Sequence, residues 1–429
     1  MHTPAEQEPA ANLPEANARR RRLLAGVAGV AGAGLLSSAP TRVLAATVGA
    51  TSNLGLAELP DGTLAEQSLY ALPGKVPLIK KTYRPPNFET PLRYFRTVIT
   101  PNDAFFVRWH LAGIPDVDVR TWRLEVGGDS VERPASYSLA QLRREFTPAS
   151  VTAVCQCSGN RRGLFEPHVA GVEWGVGAMG NAVWRGVRLK DVLDRAGLKR
   201  SAIEIVFDGA DKPPLDKTPD FVKSIPVDVA MSGDALIAFE MNGKPLPHWN
   251  GFPARIIVPG WTGTYWVKQV VSIKASSTPE GNFWMKTAYR LPRGKFPGAS
   301  FTTQLTDANE PITTMVTNSL VTSPTFGEQV KRGTPVVVKG IAWDGGSGIV
   351  RVDVSTDGGD HWQPARLGAD QGRYSFRSFS LDVPTRAPGT MVVMARAVSR
   401  NGETQSDRLN YNPAGYHHNV VQRLYVEVV

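Results

Sequence analysis

Cysteine is almost missing from this chain: Cys155 and Cys157 are its only two in 429 residues. A disulfide-stapled scaffold needs more, and so does a four-cysteine zinc or iron–sulfur site. The two thiols stand as C-x-C, so the C-x-x-C-H run that attaches a c-type haem is not encoded, and no haem is expected in this chain. A Walker P-loop is lacking, because every Gly-Lys pair is followed by Val, Pro or Phe. G-x-S-x-G is missing as well, which excludes the nucleophile turn of an α/β-hydrolase. Acidic residues are in deficit, 39 against 48 Lys and Arg, giving a formal charge of +9. A basic body attracts anionic substrates or acidic partner proteins. No Lys/Arg run is interleaved with aromatics, so nucleic acid is not an expected partner. What the chain does have is 42% hydrophobic residues with 41 Gly and 33 Pro. Those proportions exclude disorder, a coiled coil and a collagen-like rod, and the length suits two or three packed domains.

Long apolar runs are also lacking. Arg19–Arg22 are followed by an Ala/Gly/Val/Leu stretch over 23–36, and Val43, Leu44 and Ala45 end it with a small residue. A positive start, a short apolar middle and a small-residue end describe a secretory signal. Fourteen residues are too few to cross a bilayer comfortably, so no span is expected once the signal is removed. Twin arginine before x-Leu-Leu, with a weakly hydrophobic core, points to the Tat route and a periplasmic protein. Tat exports folded proteins, which suits a cofactor inserted before export. Residues 1–45 carry five Arg against three Glu, so their removal leaves +7.

Residues 46–90, rich in Gly, Pro and Thr, read as an extended lead-in. From 91 to 312 the pattern is mixed α+β. Residues 138–144 and 189–196 have apolar positions three or four apart and predict short helices. Residues 203–207, 254–258 and 267–273 predict strands. Beyond 312 the pattern changes to β-branched or alternating runs at 335–339, 349–355, 374–381, 390–397 and 423–428. Asp344-Gly345-Gly346, Asp357-Gly358-Gly359 and Asn401-Gly402 supply turns between them. Short strands at this spacing predict an Ig-like β-sandwich over 313–429, without the Cys pair of a true immunoglobulin domain.

Several runs can carry chemistry. On a strand, Phe106, Arg108 and His110 share one face, with Phe105, Val107, Trp109 and Leu111 on the other. Arginine beside imidazole is an anion clamp, or else the solvated side of a strand. Cys155 and Cys157 on an extended strand would stand about 6.6 Å apart between Cα atoms, the upper edge of disulfide geometry, so two separate thiols are expected. Cys157 opens Cys-Ser-Gly-Asn-Arg-Arg, and neighbouring cations favour a thiolate fit for a soft metal or a nucleophilic role. Gly175, Gly177 and Gly180 match G-x-G-x-x-G, but no buried strand precedes them and no helix start follows, so a dinucleotide is not expected. The run 251–268 is rich in Gly and bracketed by Arg255 and Lys268, which suits a phosphate-bearing cofactor, or a pair of turns beside a strand. His417 and His418 point to opposite faces of an extended chain and read as structural.

Together, residues 106–110, 157–162, 207–211, 240–247, 251–255 and Tyr289 resemble the sulfite oxidase family of molybdenum enzymes, in particular its bacterial periplasmic sulfite dehydrogenases. The likeness covers nearly all of 90–429, and 341–359 is similar to part of the family's Ig-like dimerisation domain. It implies a mixed α/β molybdopterin domain followed by that sandwich, with a Mo-molybdopterin cofactor. Cys157 would be the single protein thiolate on molybdenum. Arg108, His110, Arg162 and Tyr289 would form the substrate pocket. Phe106, Val107, Arg108, His110, Asp211, Asn250, Arg255, Trp266, Val267 and Lys268 match positions that hold the pterin; Asn250 and Trp266 stand where animal relatives carry His. The implied activity is oxidation of sulfite to sulfate, with electrons passed to a c-type cytochrome. A homodimer, or a heterodimer with a cytochrome subunit, goes with it. The alternatives are a related reductase of nitrate or of a sulfoxide, and a non-catalytic periplasmic binding protein.

Overall fold

The structure, a computed structural model, describes residues 72–293 and 308–429. All of them belong to one unit, Glu58–Val429. The expected signal at 1–45 and residues 46–71 of the lead-in lie outside the described residues.

The described end of the lead-in is built into the fold. Ile79–Thr82 (β1), Asn87–Glu89 (β2) and Val107–Arg108 (β3) form a small antiparallel sheet. Next come Leu124–Gly127 (β4), Ala135–Tyr137 (β5), Pro148–Gln156 (β6), Met179–Arg188 (β7) and Glu204–Gly209 (β8). Val222–Pro226 (β9), Leu236–Met241 (β10), Lys244–Pro245 (β11), Arg255–Ile257 (β12) and Val270–Ser276 (β13) complete the domain's two larger sheets. One runs β11-β10-β7-β6 with β12 also paired to β10; the other runs β5-β4-β13-β8-β9, with β4 and β13 parallel. The apolar residues of both meet in one core that includes Trp184, Phe207, Ile256 and Ile273.

Both expected helices form. In Leu139–Glu145 (α1), Ser138 Oγ accepts from Gln141 N while Gln141 Oε1 accepts from Ser138 N. This reciprocal cap satisfies two end groups that would otherwise lack partners. In Leu189–Ala196 (α2), Leu189, Val192, Leu193 and Ala196 make one buried stripe, and Gly197 ends the helix at φ +73°.

After a ribbon of Arg290–Pro292 (β14) and Asn309–Pro311 (β15), the remaining strands stack as two sheets. They are Asn318–Ser323 (β16), Gln329–Val330 (β17), Val336–Trp343 (β18), Ile349–Ser355 (β19), Gln363–Pro364 (β20), Arg366–Leu367 (β21), Arg377–Val383 (β22), Gly389–Ser399 (β23) and Arg423–Val428 (β24). The orders are β16-β18-β22-β21 and β17-β24-β23-β19-β20. Val338 and Phe379 of the first sheet pack with Val352, Val393 and Val426 of the second, the core of the expected sandwich.

The sandwich shares a seam with the first domain. Phe95, Val154 and Met179 pack with Leu320, Ile341, Trp343 and Phe376. Trp343 Nε1 donates to Gln156 Oε1 at 2.7 Å, and Arg161 Nη2 donates to the Ser319 carbonyl at 2.6 Å. The seam therefore holds both residues flanking the Cys157 turn, Gln156 before it and Arg161 after it.

Candidate functional site

A cavity lined by buried side chains opens where these elements converge. Phe105, Phe106, Arg108 and His110 enter from around β3, and Cys155, Cys157 and Ser158 from the end of β6. Trp249, Asn250, Arg255, Gly263, Thr264, Trp266 and Lys268 come from the segment around β12, with Phe221 and Tyr289 closing the remaining side.

Strand register puts the thiols there. β6 pairs with β7 so that Cys155 faces Gly180 and Gln156 faces Met179. Cys157 is the first residue past the strand, its N–H donating to the Ala178 carbonyl at 2.9 Å. Both thiols are free and buried. The G-x-x-G spacing downstream has a packing reason: a Cβ on Gly180 would sit 2.4 Å from the Phe105 ring. As expected, no helix start follows this glycine run; instead it leads into a strand, β7.

The alternation read in 105–111 holds beyond the two-residue strand. Phe106, Arg108 and His110 reach the cavity, while Val107 and Trp109 pack in an apolar cluster with Phe88 and Trp249. Phe105 also reaches the cavity, because it stacks on Phe106. Arg108 Nη1 donates to Asn87 Oδ1 at 3.2 Å and to the Trp109 carbonyl. His110 lies flat on Phe221, ring centroids 3.6 Å apart, and its Nε2 shares a hydrogen bond with the Tyr289 hydroxyl. Burial holds the imidazole well below its ordinary pKa, and the charges of Arg108, Lys268 and Lys223 act in the same direction. His110 is therefore neutral at pH 7.

On the cofactor side, Arg255 Nη1 and Nη2 donate to the Asn250 and Trp266 carbonyls at 3.0 and 2.9 Å. Arg255 Nε and Thr264 Oγ1 are buried without a protein partner. Burial pushes Lys268 down to about 7, with Arg255 adding to the shift and Asp211 opposing it. Asp211 in turn is pushed up to about 6 by burial, against the pull of Lys268. Cations and orphaned polar atoms around two buried thiols suit an anionic ligand with its own metal-binding sulfurs. Among the described residues, no three His, Cys, Asp or Glu side chains gather to hold a metal by themselves.

Of the residues singled out from the sequence, Phe106, Arg108, His110, Cys157, Asn250, Arg255, Trp266, Lys268 and Tyr289 line this cavity. Val107 and Val267 are buried in the surrounding core, and Asp211 stands behind Lys268. Arg162 departs from the expectation that it lines the pocket. Its Nε and Nη2 donate to the Ala414 carbonyl at 3.3 and 3.2 Å, and its guanidinium lies 4.9 Å from the centre of the Tyr416 ring. The left-handed backbone at Arg161, φ +68°, opens the short 3-10 turn that aims Arg162 this way. His418 meets Phe165 edge-on, with its carbonyl accepting from Asn318 Nδ2, in keeping with a structural part.

Lys75 was missed. Its ammonium donates to the Asn102 and Phe105 carbonyls and to Asn250 Oδ1, at 2.6, 3.0 and 2.6 Å. It thereby fixes Asn250, whose Nδ2 donates to the Phe106 carbonyl at 3.0 Å. A single Lys in a Gly- and Pro-rich stretch carries no pattern from which this could be read.

The chain matches two family models, the oxidoreductase molybdopterin binding domain over residues 110–284 and the Mo-co oxidoreductase dimerisation domain over 309–429. It is 35% identical to the mitochondrial sulfite oxidase of Homo sapiens over 372 residues, 83% of this chain and 67% of that protein. It is 31% identical to a nitrate reductase [NADH] of Hordeum vulgare over 391 residues, 84% of this chain and 41% of the relative. Among solved structures, the sulfane dehydrogenase SoxCD of Paracoccus pantotrophus superposes with a TM-score of 0.70 at 27% identity, covering 84% of this chain and 92% of that one.

Proposed function

The chain belongs to the sulfite oxidase family of molybdenum enzymes, and from that premise we propose that it is a sulfite dehydrogenase, exported by the Tat route, that works in the periplasm and passes electrons to a c-type cytochrome. The observation that carries this reading is the convergence of Cys157, Arg108, His110 and Tyr289 with Asn250, Arg255, Trp266 and Lys268 on one cavity. Cys157 would hold molybdenum through its thiolate. Arg255, Lys268, Asn250 and Trp266 would hold the pyranopterin, with Arg255 Nε and Thr264 Oγ1 free to bond it. When bound, that group supplies oxygen transfer to sulfur and a two-electron store.

The chain's own residues do the rest. Arg108 and Lys268 lend the cavity positive potential, which concentrates and orients a sulfite anion. His110, neutral and hydrogen-bonded to Tyr289, presents a fixed polar edge without a second full charge. Phe221, Trp249 and Trp266 give apolar walls that limit water around the reacting sulfur. The dimerisation-domain match supports a homodimer; a cytochrome subunit is the partner the reading needs for reoxidation.

A substrate panel on the molybdenum-loaded protein tests this. Sulfite should drive ferricyanide reduction, while nitrate and methionine sulfoxide should not oxidise a reduced dye. Dye oxidation by either, without sulfite turnover, assigns the site to a reductase. If the folded, exported protein instead takes up no molybdenum when the metal is supplied, that supports a binding protein.

A further inference from the structure

Lys223, on β9, has no place in the chemistry above, and 1% of its surface reaches solvent. Its ammonium donates to the Trp284 carbonyl at 2.7 Å. It also lies over two rings, 4.6 Å from the centre of Tyr265 and 5.1 Å from that of Tyr289. Such contacts are attractive when water is excluded.

The segment it grips is the one that delivers Tyr289. That residue has φ +58°, a left-handed conformation costly for an aromatic side chain. Backbone held this way persists only where its surroundings over-determine it. Three contacts do so here: the hydroxyl bonds His110, the ring stacks on Tyr416 at 5.7 Å, and the carbonyl accepts from Ile312 N at 2.9 Å. Lys223 adds the tie to Trp284, whose ring meets both His110 and Phe221 edge-on at 4.9 and 5.2 Å. Phe221, two residues before Lys223, is the surface on which His110 lies. One short stretch, 221–223, therefore supports both partners of the His110–Tyr289 hydrogen bond.

We propose that Lys223 is a positioning residue that, through the Trp284 carbonyl and the Tyr289 ring, aims the Tyr289 hydroxyl at His110 and at the substrate. The proposal rests on the sulfite reading for its substrate, but its geometry is independent of that choice. Lys223 does not itself line the cavity, so it acts through Tyr289, which does.

A double-mutant cycle tests this. Lys223→Met removes the donor and the charge at similar length, Lys223→Arg keeps both, and Tyr289→Phe removes the hydroxyl that Lys223 is said to aim. In loaded enzyme, Lys223→Met should raise KM for sulfite about tenfold, with a smaller fall in kcat, while Lys223→Arg restores most of the loss. In the Tyr289→Phe background Lys223→Met should add almost nothing, because coupled residues are not additive. The same cycle is read without turnover by titrating sulfate against tryptophan fluorescence. Coupling in the sulfate titration together with inactivity on sulfite keeps the role of Lys223 and discards the sulfite reading. Additive effects, or an unchanged KM and sulfate affinity in Lys223→Met, overturn the proposal.

Discussion

Arg108 keeps one arm of its guanidinium on Asn87 Oδ1 and the Trp109 carbonyl and still lines the cavity, so its remaining N–H groups can face an oxyanion. Hydrogen bonds to charged groups contribute about 1.5–3 kcal/mol, a factor of roughly ten to a hundred in binding. Arg108→Gln should raise KM for sulfite by that factor and leave molybdenum content unchanged, as metal analysis beside steady-state kinetics will check. Arg162→Gln should behave differently. It strips charge-assisted bonds from the buried Ala414 carbonyl, so the expected effect is a lower Tm with a KM change smaller than that of Arg108→Gln. An equal KM rise would place Arg162 at the substrate after all. A third expectation concerns pH. Burial holds Lys75 and Lys223 near 7, Asp103 opposing the shift at Lys75 and Arg290 adding to it at Lys223, whereas an unfolded lysine titrates near 10.4. Between those values the unfolded chain binds more protons, so stability is lost as pH falls from about 10 toward 7. Urea midpoints of the cofactor-free protein should therefore rise from pH 7 to pH 9; a flat or falling series contradicts the lowered pKa values of these lysines. At this scale the sequence was most readable where chemistry repeats in a short run, as in 106–110 and 157–162. It was silent on Lys75 and Lys223, single cations whose partners lie far along the chain.

The two helices were legible because their apolar residues stand three or four apart, Leu139 and Leu142 packing on the core from α1 and a four-residue stripe from α2, and each carries a cap, a capping box before α1 and Gly197 after α2. The strands of the sandwich were legible for a similar reason, since turns such as Asp344-Gly345-Gly346 punctuate them. Asp344 closes that turn by accepting from the N–H groups of Gly346 and Gly348. The long central strands β6, β7 and β10 were not anticipated. β10 is buried almost throughout, and such a strand shows no two-residue alternation. β7 also carries Gly180 and Gly186, which weaken a strand signal in sequence yet are needed for close approach. Gly180→Ala tests that need. Its Cβ would press on the Phe105 ring, and overpacking of this kind costs about 1–3 kcal/mol. Because Phe105 stacks on Phe106 at the cavity, the expected outcome is a lower Tm together with reduced cofactor loading, measured by melting and by metal content. Full loading at an unchanged Tm would mean that the ring moves freely.

Across the whole molecule, the composition change near residue 312 coincides with the passage from mixed sheets to the sandwich, and the basic surplus agrees with a cationic cavity. The seam between the domains was not readable, because it depends on single residues such as Trp343, Gln156 and Arg161 meeting from distant parts of the chain. Export is a separate expectation: replacing Arg19, Arg20, Arg21 and Arg22 by Lys should retain cofactor-loaded protein in the cytoplasm, and periplasmic protein from that variant would point to the Sec route. The central claim, that this chain is a molybdenum sulfite oxidoreductase ligated by Cys157, turns on the thiols. Both face the same cavity. Cys155, however, sits within the strand, and burial raises its thiol pKa, whereas Cys157 stands free at the strand's end. The decisive measurement is sulfite-driven ferricyanide reduction by Cys157→Ser beside Cys155→Ser. The account predicts no turnover from Cys157→Ser and most of the wild-type rate from Cys155→Ser; an active Cys157→Ser enzyme, or the reverse order, would contradict it.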